Sequence, residues 1–235
     1  MNLLNLCTGF DYKTYEGQNN NVSREMIMKV YGYPNSRSTR ITWMLEELEM
    51  EYEFCLVDFN KGESQSKEYL AINPAGKVPA LQDDDLLLLE SAAIVAYLGD
   101  KSPESGLVPT AGTVERARYD QWSYFAMCEL EQPLWTIGKN KFALPEDQRC
   151  ESIFPTAQWE FQKALKLFSD GLGDNSYILG DSFTAVDILL GQTLVWGTAF
   201  KLPIEQENLK EYLKRVTSRP ALVRARAAEA ASLEG

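Results

Sequence analysis

The chain contains no histidine among its 235 residues, so it lacks the side chain that most often serves as acid, base or metal ligand near neutral pH. This absence excludes Ser-His-Asp hydrolysis and most types of metal site. The four cysteines, Cys7, Cys55, Cys128 and Cys150, are scattered without a CxxC pair. Their spacing indicates reduced cysteines in a cytosolic protein rather than a disulfide framework or a zinc site.

Basic residues are also few: 23 Lys and Arg stand against 34 Asp and Glu, which gives a net charge of −11. A chain of this sign repels phosphate backbones and anionic lipid surfaces, so we expect neither nucleic acid nor a membrane as a partner. Long apolar runs are missing, and residues 1–10 lack the basic flank of a signal peptide. We therefore expect a cytoplasmic protein.

The residues that are present have globular composition, with 45% of them hydrophobic. Polar residues 1–25 predict a flexible extension. Residues 26–102 show strand and helix patterns in the order βαβ-α-ββ-α, which is typical of a thioredoxin-like domain. Residues 103–112 are rich in Pro, Gly, Ser and Thr and predict a linker, and residues 113–235 predict helices throughout. The expected fold class is an α+β thioredoxin-like N-terminal domain followed by an all-α domain.

Periodicity and turn residues predict the bounds of the individual elements. Strands are expected over 26–33, 52–59, 78–81 and 86–89, and helices over 65–72, 91–101, 113–144, 149–170, 184–198, 205–216 and 220–231. A further amphipathic helix should begin near Ser36 or Ser38. Pro133 should kink or split the long helix that contains it.

Residues 34–40 form the first motif, Pro-Asn-Ser-Arg-Ser-Thr-Arg, between the first strand and this amphipathic helix. Pro34 ends the strand, and the hydroxyl of Ser36 or Ser38 can cap free backbone N–H groups at the helix start. A serine hydroxyl and unpaired N–H groups at a helix N-terminus together favour a bound anion.

Three further motifs follow along the chain. Residues 73–81 contain a Lys-Val-Pro turn that leads into a hairpin, and Glu90-Ser91 stands where the hairpin ends and a helix begins. Thr184 and Asp187 have the spacing of a capping box, in which each residue satisfies a backbone N–H of the other. That box predicts a well-started helix.

These four motifs, in this order on this pattern of elements, resemble the cytosolic glutathione transferases, and in particular a bacterial, serine-type member. The resemblance extends from about residue 28 to about residue 225. The chain differs from tyrosine-type members because Tyr33 lies on the strand. It differs from cysteine-type members because no cysteine stands at the helix start, which disfavours a disulfide reductase.

The resemblance implies roles for particular residues. Ser36 aligns with the family's catalytic serine when Arg40 is matched to the arginine of its helix. Ser38 is the runner-up, and either serine could instead only cap the helix. Val78-Pro79 fits the family's cis-proline turn, which leaves the Val78 backbone free to pair with the cysteinyl part of glutathione.

Binding of the rest of glutathione is expected from three side chains. Lys77 can reach a carboxylate of the tripeptide, or it can be a solvated surface lysine. Glu90 can pair with the ligand's ammonium group. Ser91 lies at a helix N-terminus that suits the γ-glutamyl carboxylate, and we expect it both to cap the helix and to bind the ligand.

Aromatic residues on the long helix are candidates for a second, apolar site. Tyr119, Trp122, Tyr124 and Phe125 could line a pocket for a hydrophobic electrophile, although aromatics at helical spacing more often form core.

The predicted function is a glutathione transferase that stabilises the thiolate of reduced glutathione for attack on a hydrophobic electrophile. Glutathione would be a co-substrate, with no metal or redox cofactor. The alternatives are a glutathione-dependent peroxidase, dehalogenase or isomerase, and a non-catalytic ligand-binding or regulatory protein with the same fold. The resemblance also implies a homodimer and a role in detoxification.

Overall fold

A computed structural model describes residues 27–233, so the predicted extension over residues 1–25 lies outside the described residues. The N-terminal part alternates strands and helices. Its elements are β1 (Met28–Gly32), α1 (Thr39–Glu47), β2 (Tyr52–Leu56), α2 (Lys67–Ile72), β3 (Ala80–Asp83), β4 (Leu86–Leu89) and α3 (Ser91–Lys101).

The four strands form one sheet in the order β2-β1-β3-β4. Strand β1 pairs in parallel with β2 and antiparallel with β3, and β3 pairs antiparallel with β4 through the predicted hairpin. This arrangement confirms the thioredoxin-like order. Strands β1 and β2 are shorter than predicted, because β1 ends at Gly32, where the Tyr33 N–H donates to Ser38 Oγ, and β2 ends at Leu56 instead of residue 59. Strand β3 has the predicted length but is shifted by two residues, since Pro79 has no N–H to donate and the strand begins at Ala80.

The rest of the described chain is helical, as predicted. Its helices are α4 (Val114–Phe125), α5 (Glu131–Gly138), α6 (Phe154–Leu172), α7 (Ala185–Ala199), α8 (Glu207–Thr217) and α9 (Pro220–Ala231). The long helix predicted over 113–144 is helical throughout 114–143, with π-helical turns over Ala126–Leu130 and Lys139–Ala143 and no break at Pro133. Pro133 lies near the start of α5, and the Glu129 carbonyl, which a regular helix would pair with its missing N–H, belongs to the first π-helical turn.

The core is shared between the two parts of the chain. Helix α1 packs against α3 of its own domain and against α7 and α9 of the helical domain. Trp43 on α1 is fully buried and stacks on Phe183, which precedes α7. The start of α1, where the first motif lies, is therefore held from both domains.

Between residues 27 and 233, no helix has the length and apolar character needed to cross a membrane.

Candidate active site

The loop from Tyr33 to Ser38 connects β1 to α1 and carries the first motif. Helix α1 begins at Thr39 with Ser38 at its N-cap, but the Ser38 side chain makes no capping hydrogen bond. Among the described residues, the backbone N–H groups of Ser36 and Arg37 have no hydrogen-bond partner. The loop thus presents unpaired donors at the positive end of a helix, which suits a bound anion.

The two serines of this loop have different environments. Ser38 is fully buried, and its Oγ accepts a hydrogen bond from the Tyr33 N–H at 3.2 Å. Ser36 is half-buried, and its Oγ lies 2.6 Å from the Tyr33 carbonyl oxygen and 2.9 Å from Ser38 Oγ. A hydroxyl has a single proton, so Ser36 can turn that proton from the carbonyl toward a ligand. Only Ser36 combines access with a free choice of acceptor.

Gly32 makes the burial of Ser38 possible. A Cβ atom at position 32 would lie 2.7 Å from the Ser38 side chain and 2.8 Å from the Phe54 ring, which is closer than real atoms approach. The strand can therefore pass under the helix start only as glycine. Asn35 in the same loop has a φ of 57°, a left-handed conformation that asparagine tolerates better than most residues.

The Lys-Val-Pro turn has the geometry that the resemblance implies. The Val78-Pro79 peptide bond is cis. The Lys77 carbonyl oxygen accepts hydrogen bonds from the Tyr69 hydroxyl at 2.5 Å and from Asn73 Nδ2 at 2.7 Å, which fix the turn. The β-ladder begins only at Ala80, and within residues 27–233 the Val78 backbone has no hydrogen-bond partner. Val78 can therefore pair with an extended ligand.

The start of α3 differs from the prediction in one respect. Glu90, not Ser91, is the N-cap residue, and its φ of 67° places its backbone outside the helix. Ser91 is the first helical residue and is buried, and its Oγ accepts a hydrogen bond from Arg40 Nη1 at 3.0 Å. The expectation that Ser91 caps the helix was wrong, because its hydroxyl is turned toward Arg40. Glu90 is exposed and can meet a cationic group.

Arg40 joins the two motifs to the helical domain. Its guanidinium is fully buried, donates to Ser91 on α3, and donates to Gln192 Oε1 at 3.0 Å and Thr193 Oγ1 at 2.9 Å on α7. It also forms an ion pair with the buried carboxylate of Glu131 on α5. In turn, Gln192 Nε2 donates to the Ser36 carbonyl oxygen at 3.3 Å. Both helix starts that should bind glutathione are thus fixed by one guanidinium.

Glu131 is shared by two arginines. Arg37 Nε donates to its Oε1 at 2.6 Å while Arg40 binds its other oxygen. Burial raises the pKa of the Glu131 carboxyl, but the two guanidinium groups outweigh that effect, and the pKa lies below its usual value. Burial also lowers the pKa of Arg40. One carboxylate therefore faces two cations.

Sequence reasoning missed Arg37 and the two tryptophans that enclose it. The Arg37 guanidinium carbon lies 4.7 Å from the ring centroid of Trp135 and 4.8 Å from that of Trp196. The Lys77 ammonium lies 5.7 Å from the Trp135 centroid, so the Lys-Val-Pro turn reaches the same rings. In the sequence, the position of Arg37 inside the first motif was the only feature that could have indicated a role for it in the site.

The aromatic residues proposed for the electrophile lie elsewhere. Tyr119 is buried in the core, and Trp122 packs on Phe125 and on Phe168 of α6. Tyr124 is exposed. The packing of Tyr119, Trp122 and Phe125 matches the core alternative, whereas Tyr124 faces solvent. Within residues 27–233 no group of three or more His, Cys, Asp or Glu side chains is placed to hold a metal ion.

Comparison with known proteins identifies two matching family models. The model described as the glutathione S-transferase N-terminal domain matches residues 26–100, and the glutathione S-transferase C-terminal domain matches residues 131–220. The chain is also 30% identical over 205 residues to glutathione S-transferase GstA of Escherichia coli O157:H7, which covers 86% of this chain and 98% of that protein.

Solved structures give the same result. A glutathione transferase from Methylococcus capsulatus superposes with a TM-score of 0.77 at 32% identity, covering 87% of this chain and 100% of the other. The transferase URE2P6 from Phanerochaete chrysosporium, solved in complex with oxidized glutathione, has a TM-score of 0.75 at 27% identity over 87% of this chain and 96% of its own. This chain belongs to the glutathione S-transferase family of enzymes.

Proposed function

We propose that this protein binds reduced glutathione, holds its thiol as the thiolate and transfers it to a hydrophobic electrophile. The observation that carries the proposal is the half-buried Ser36 hydroxyl beside two unpaired backbone N–H groups at the start of α1. These groups together offer hydrogen bonds and partial positive charge to one anion. A neighbour of the same family, URE2P6, was solved with oxidized glutathione.

The proposed ligand spans both motifs. The cysteinyl backbone pairs with Val78 as a further strand would, because that backbone has no partner within residues 27–233. The γ-glutamyl carboxylate meets the start of α3 at Ser91, and Glu90 receives the ammonium group. Lys77 supplies a positive charge for the glycyl carboxylate. Arg40 holds these parts in register through its bond to Ser91.

The proposed chemistry is a substitution or an addition at an electrophilic carbon. A free thiol has a pKa of roughly 8.5, so most glutathione is protonated at neutral pH. Ser36 donates its hydrogen bond to the sulfur after turning away from the Tyr33 carbonyl oxygen, and the thiol proton leaves to solvent. The thiolate sulfur then forms a bond to carbon. In a substitution the leaving group departs with the electron pair of its own bond, and in an addition the π electron pair moves to the neighbouring atom, which takes a proton from solvent.

The other proposals concern the setting of the reaction. A peroxidase, dehalogenase or isomerase would use the same activated thiol with a different acceptor, and a ligand-binding protein would use the same site without turnover. A homodimer is supported by family membership and by exposed apolar side chains such as Phe59, Leu86 and Leu87. A cytoplasmic location and a role in detoxification complete the proposal.

Steady-state kinetics on two serine variants test the proposal. Ser36→Ala should lower kcat by about 100-fold with little change in glutathione affinity, because it removes a donor that acts on the developing sulfur anion. Ser38→Ala should cost stability of about 1 kcal/mol through its lost bond to the Tyr33 N–H, with a smaller effect on kcat. Loss of turnover in Ser38→Ala alone would assign the activation to Ser38.

A further inference from the structure

The surface beside the serine loop is both aromatic and cationic. Three aromatic rings follow one another on this surface: the Trp135 and Trp196 centroids are 6.5 Å apart, and the Trp196 and Phe200 centroids are 5.7 Å apart. A lysine ammonium lies over each end of the row, that of Lys77 over Trp135 and that of Lys141 over Phe200 at 5.4 Å from its centroid. The Arg37 guanidinium contacts both indoles. We call this set the indole surface; it comprises Lys77, Trp135, Arg37, Trp196, Phe200 and Lys141.

The indole surface carries uncompensated positive charge in a chain whose net charge is −11. Arg37 and Arg40 share the single carboxylate of Glu131, and the other partners of Arg40 are neutral side chains. Within residues 27–233 neither Lys77 nor Lys141 forms an ion pair. The buried carboxyl of Glu229 lies under the same loop, but it binds Thr39 and Thr42 instead of an arginine.

Arg37 retains hydrogen-bonding capacity toward a ligand. Only its Nε is bound, to Glu131, and within residues 27–233 its two η nitrogens have no hydrogen-bond partner. The side chain is 22% exposed, and the tryptophans on either side are half-buried. The bond from Nε to Glu131 and the contacts with both rings restrict the guanidinium, so its outer nitrogens form a preorganised fork for a carboxylate or another planar anion.

We infer that the electrophile of this enzyme is a planar aromatic molecule bearing an anionic group, with Arg37 as the residue that selects the anion. Its ring stacks on Trp135 or Trp196, and its anionic group binds the η nitrogens of Arg37. Arg37 directly follows Ser36, so such a ligand lies next to the bound thiolate. This inference rests on the proposed glutathione chemistry for turnover, but the selectivity in binding can be tested without turnover.

The binding test compares nitrobenzoate with its neutral analogue nitrobenzamide by calorimetry, in the presence of glutathione. The wild type should bind the carboxylate about tenfold more tightly, which corresponds to one charge-assisted hydrogen-bonded pair. Arg37→Met should bring the two affinities together, and Arg37→Lys, which keeps the charge without the fork, should retain part of the preference. Thermal unfolding of each variant checks that it is folded.

Lys163→Met is the matched control. Lys163 also stacks on an indole, that of Trp159 at 5.7 Å, but on the surface of α6. This change removes the same charge and should leave the preference for nitrobenzoate unchanged. Equal affinities of the wild type for the two compounds, or an unaltered preference in folded Arg37→Met, would overturn the inference.

A reactive pair separates the inference from the proposed function. In a chloronitrobenzoate with chlorine beside the nitro group and opposite the carboxylate, the glutathione sulfur bonds to the ring carbon and chloride leaves with the former bonding pair. The other member of the pair is the corresponding chloronitrobenzamide, which is neutral. Each enzymatic rate of conjugation is divided by the uncatalysed rate for the same compound, because the acid and the amide differ in intrinsic reactivity. Selective binding without any conjugation would support the selectivity of Arg37 and contradict the proposed transferase chemistry. Conjugation of both compounds at equal corrected rates, without selective binding, would support the transferase chemistry and contradict the selectivity of Arg37.

Discussion

Glu229 is a buried carboxyl group on the last helix that reaches the loop of the candidate site. Its Oε2 accepts hydrogen bonds from the Asn35 N–H at 3.3 Å and from Thr39 Oγ1 at 2.9 Å, and its Oε1 accepts one from Thr42 Oγ1 at 2.7 Å. Burial raises its pKa, and the hydrogen bonds from Thr42, Thr39 and Asn35 oppose that rise only in part. The side chain therefore ties α9 to the start of α1 at an electrostatic cost.

That cost predicts a dependence of stability on pH. Because the folded-state pKa of Glu229 is raised, its contribution to stability is present below the unfolded value of about 4.3 and is lost as the pH rises through the folded value. Glu229→Gln cannot ionise, so its stability relative to the wild type should increase from pH 4 to pH 8, as measured by urea unfolding.

Two further variants bracket this prediction. Glu229→Ala should lose about 2 kcal/mol near pH 4, because it leaves two threonine hydroxyls and a backbone N–H without their acceptor. That loss should shrink toward pH 8, since alanine cannot ionise either. Glu160→Gln changes an exposed carboxyl on α6 and should show no such trend. A stability difference between Glu229→Gln and the wild type that does not vary with pH would contradict the electrostatic account.

The sequence identified the serine loop but could not distinguish its two serines by burial. Ser38 is buried because Gly32 lets the strand pass close beneath it, and that contact depends on how the sheet meets α1. Likewise, Arg37 has an ordinary surface pattern in the sequence. Its role depends on Trp135 and Trp196, which are about 100 and 160 residues away and are brought to it only by the tertiary fold.

Among the helices, α7 has an N-terminus that is held by a buried carboxylate, that of Asp187. The predicted capping box is present, and the Thr184 N–H donates to Asp187 Oδ2 at 2.9 Å. The fully buried Asp187 carboxylate also accepts from the Ile178 N–H at 3.1 Å and from the Tyr212 hydroxyl at 2.9 Å. One side chain thus joins the helix start, the preceding loop and α8.

Asp187→Ala should therefore destabilise the protein by about 3 kcal/mol, because several buried donors lose their acceptor and the helix loses its cap. Chemical denaturation measures this loss. Tyr212→Phe removes a single donor and should cost about 1 kcal/mol. Asp181→Ala, in the exposed part of the same loop, should be nearly neutral. A loss below 1 kcal/mol in Asp187→Ala would show that the cap contributes little.

Most helices and strands were predictable because their periodicity and caps are local. The predicted bounds of α3 and α9 match the structure, whereas the helix predicted over 149–170 begins later, at Phe154, with Pro155 in its first turn. The π-helical turn before α5 lies close to Pro133, which the sequence marks as a point of disturbance in the helix but not as a π-helical turn. The Met127 sulfur in this turn contacts Arg40 at 3.5 Å, and Glu131, which directly follows the turn, pairs with the same buried guanidinium.

At the scale of the whole molecule, the candidate site belongs to both domains. The thioredoxin-like part supplies the serine loop, the Val78 turn and the start of α3, while Glu131 and Gln192 of the helical part hold the arginine that links them. The order of the two domains was predictable from the sequence patterns and the family motifs. The pairing of Arg40 with residues more than 90 positions away was not, because no local pattern encodes it.

The proposed function requires that this assembled site lowers the pKa of the glutathione thiol through Ser36. The most direct test is an ultraviolet titration of the thiolate of enzyme-bound glutathione, in the wild type and in Ser36→Ala. We expect a bound pKa well below the free value of roughly 8.5, and a rise toward that value in the variant. Bound glutathione with an unshifted pKa, or an equally low pKa in both proteins, would contradict it.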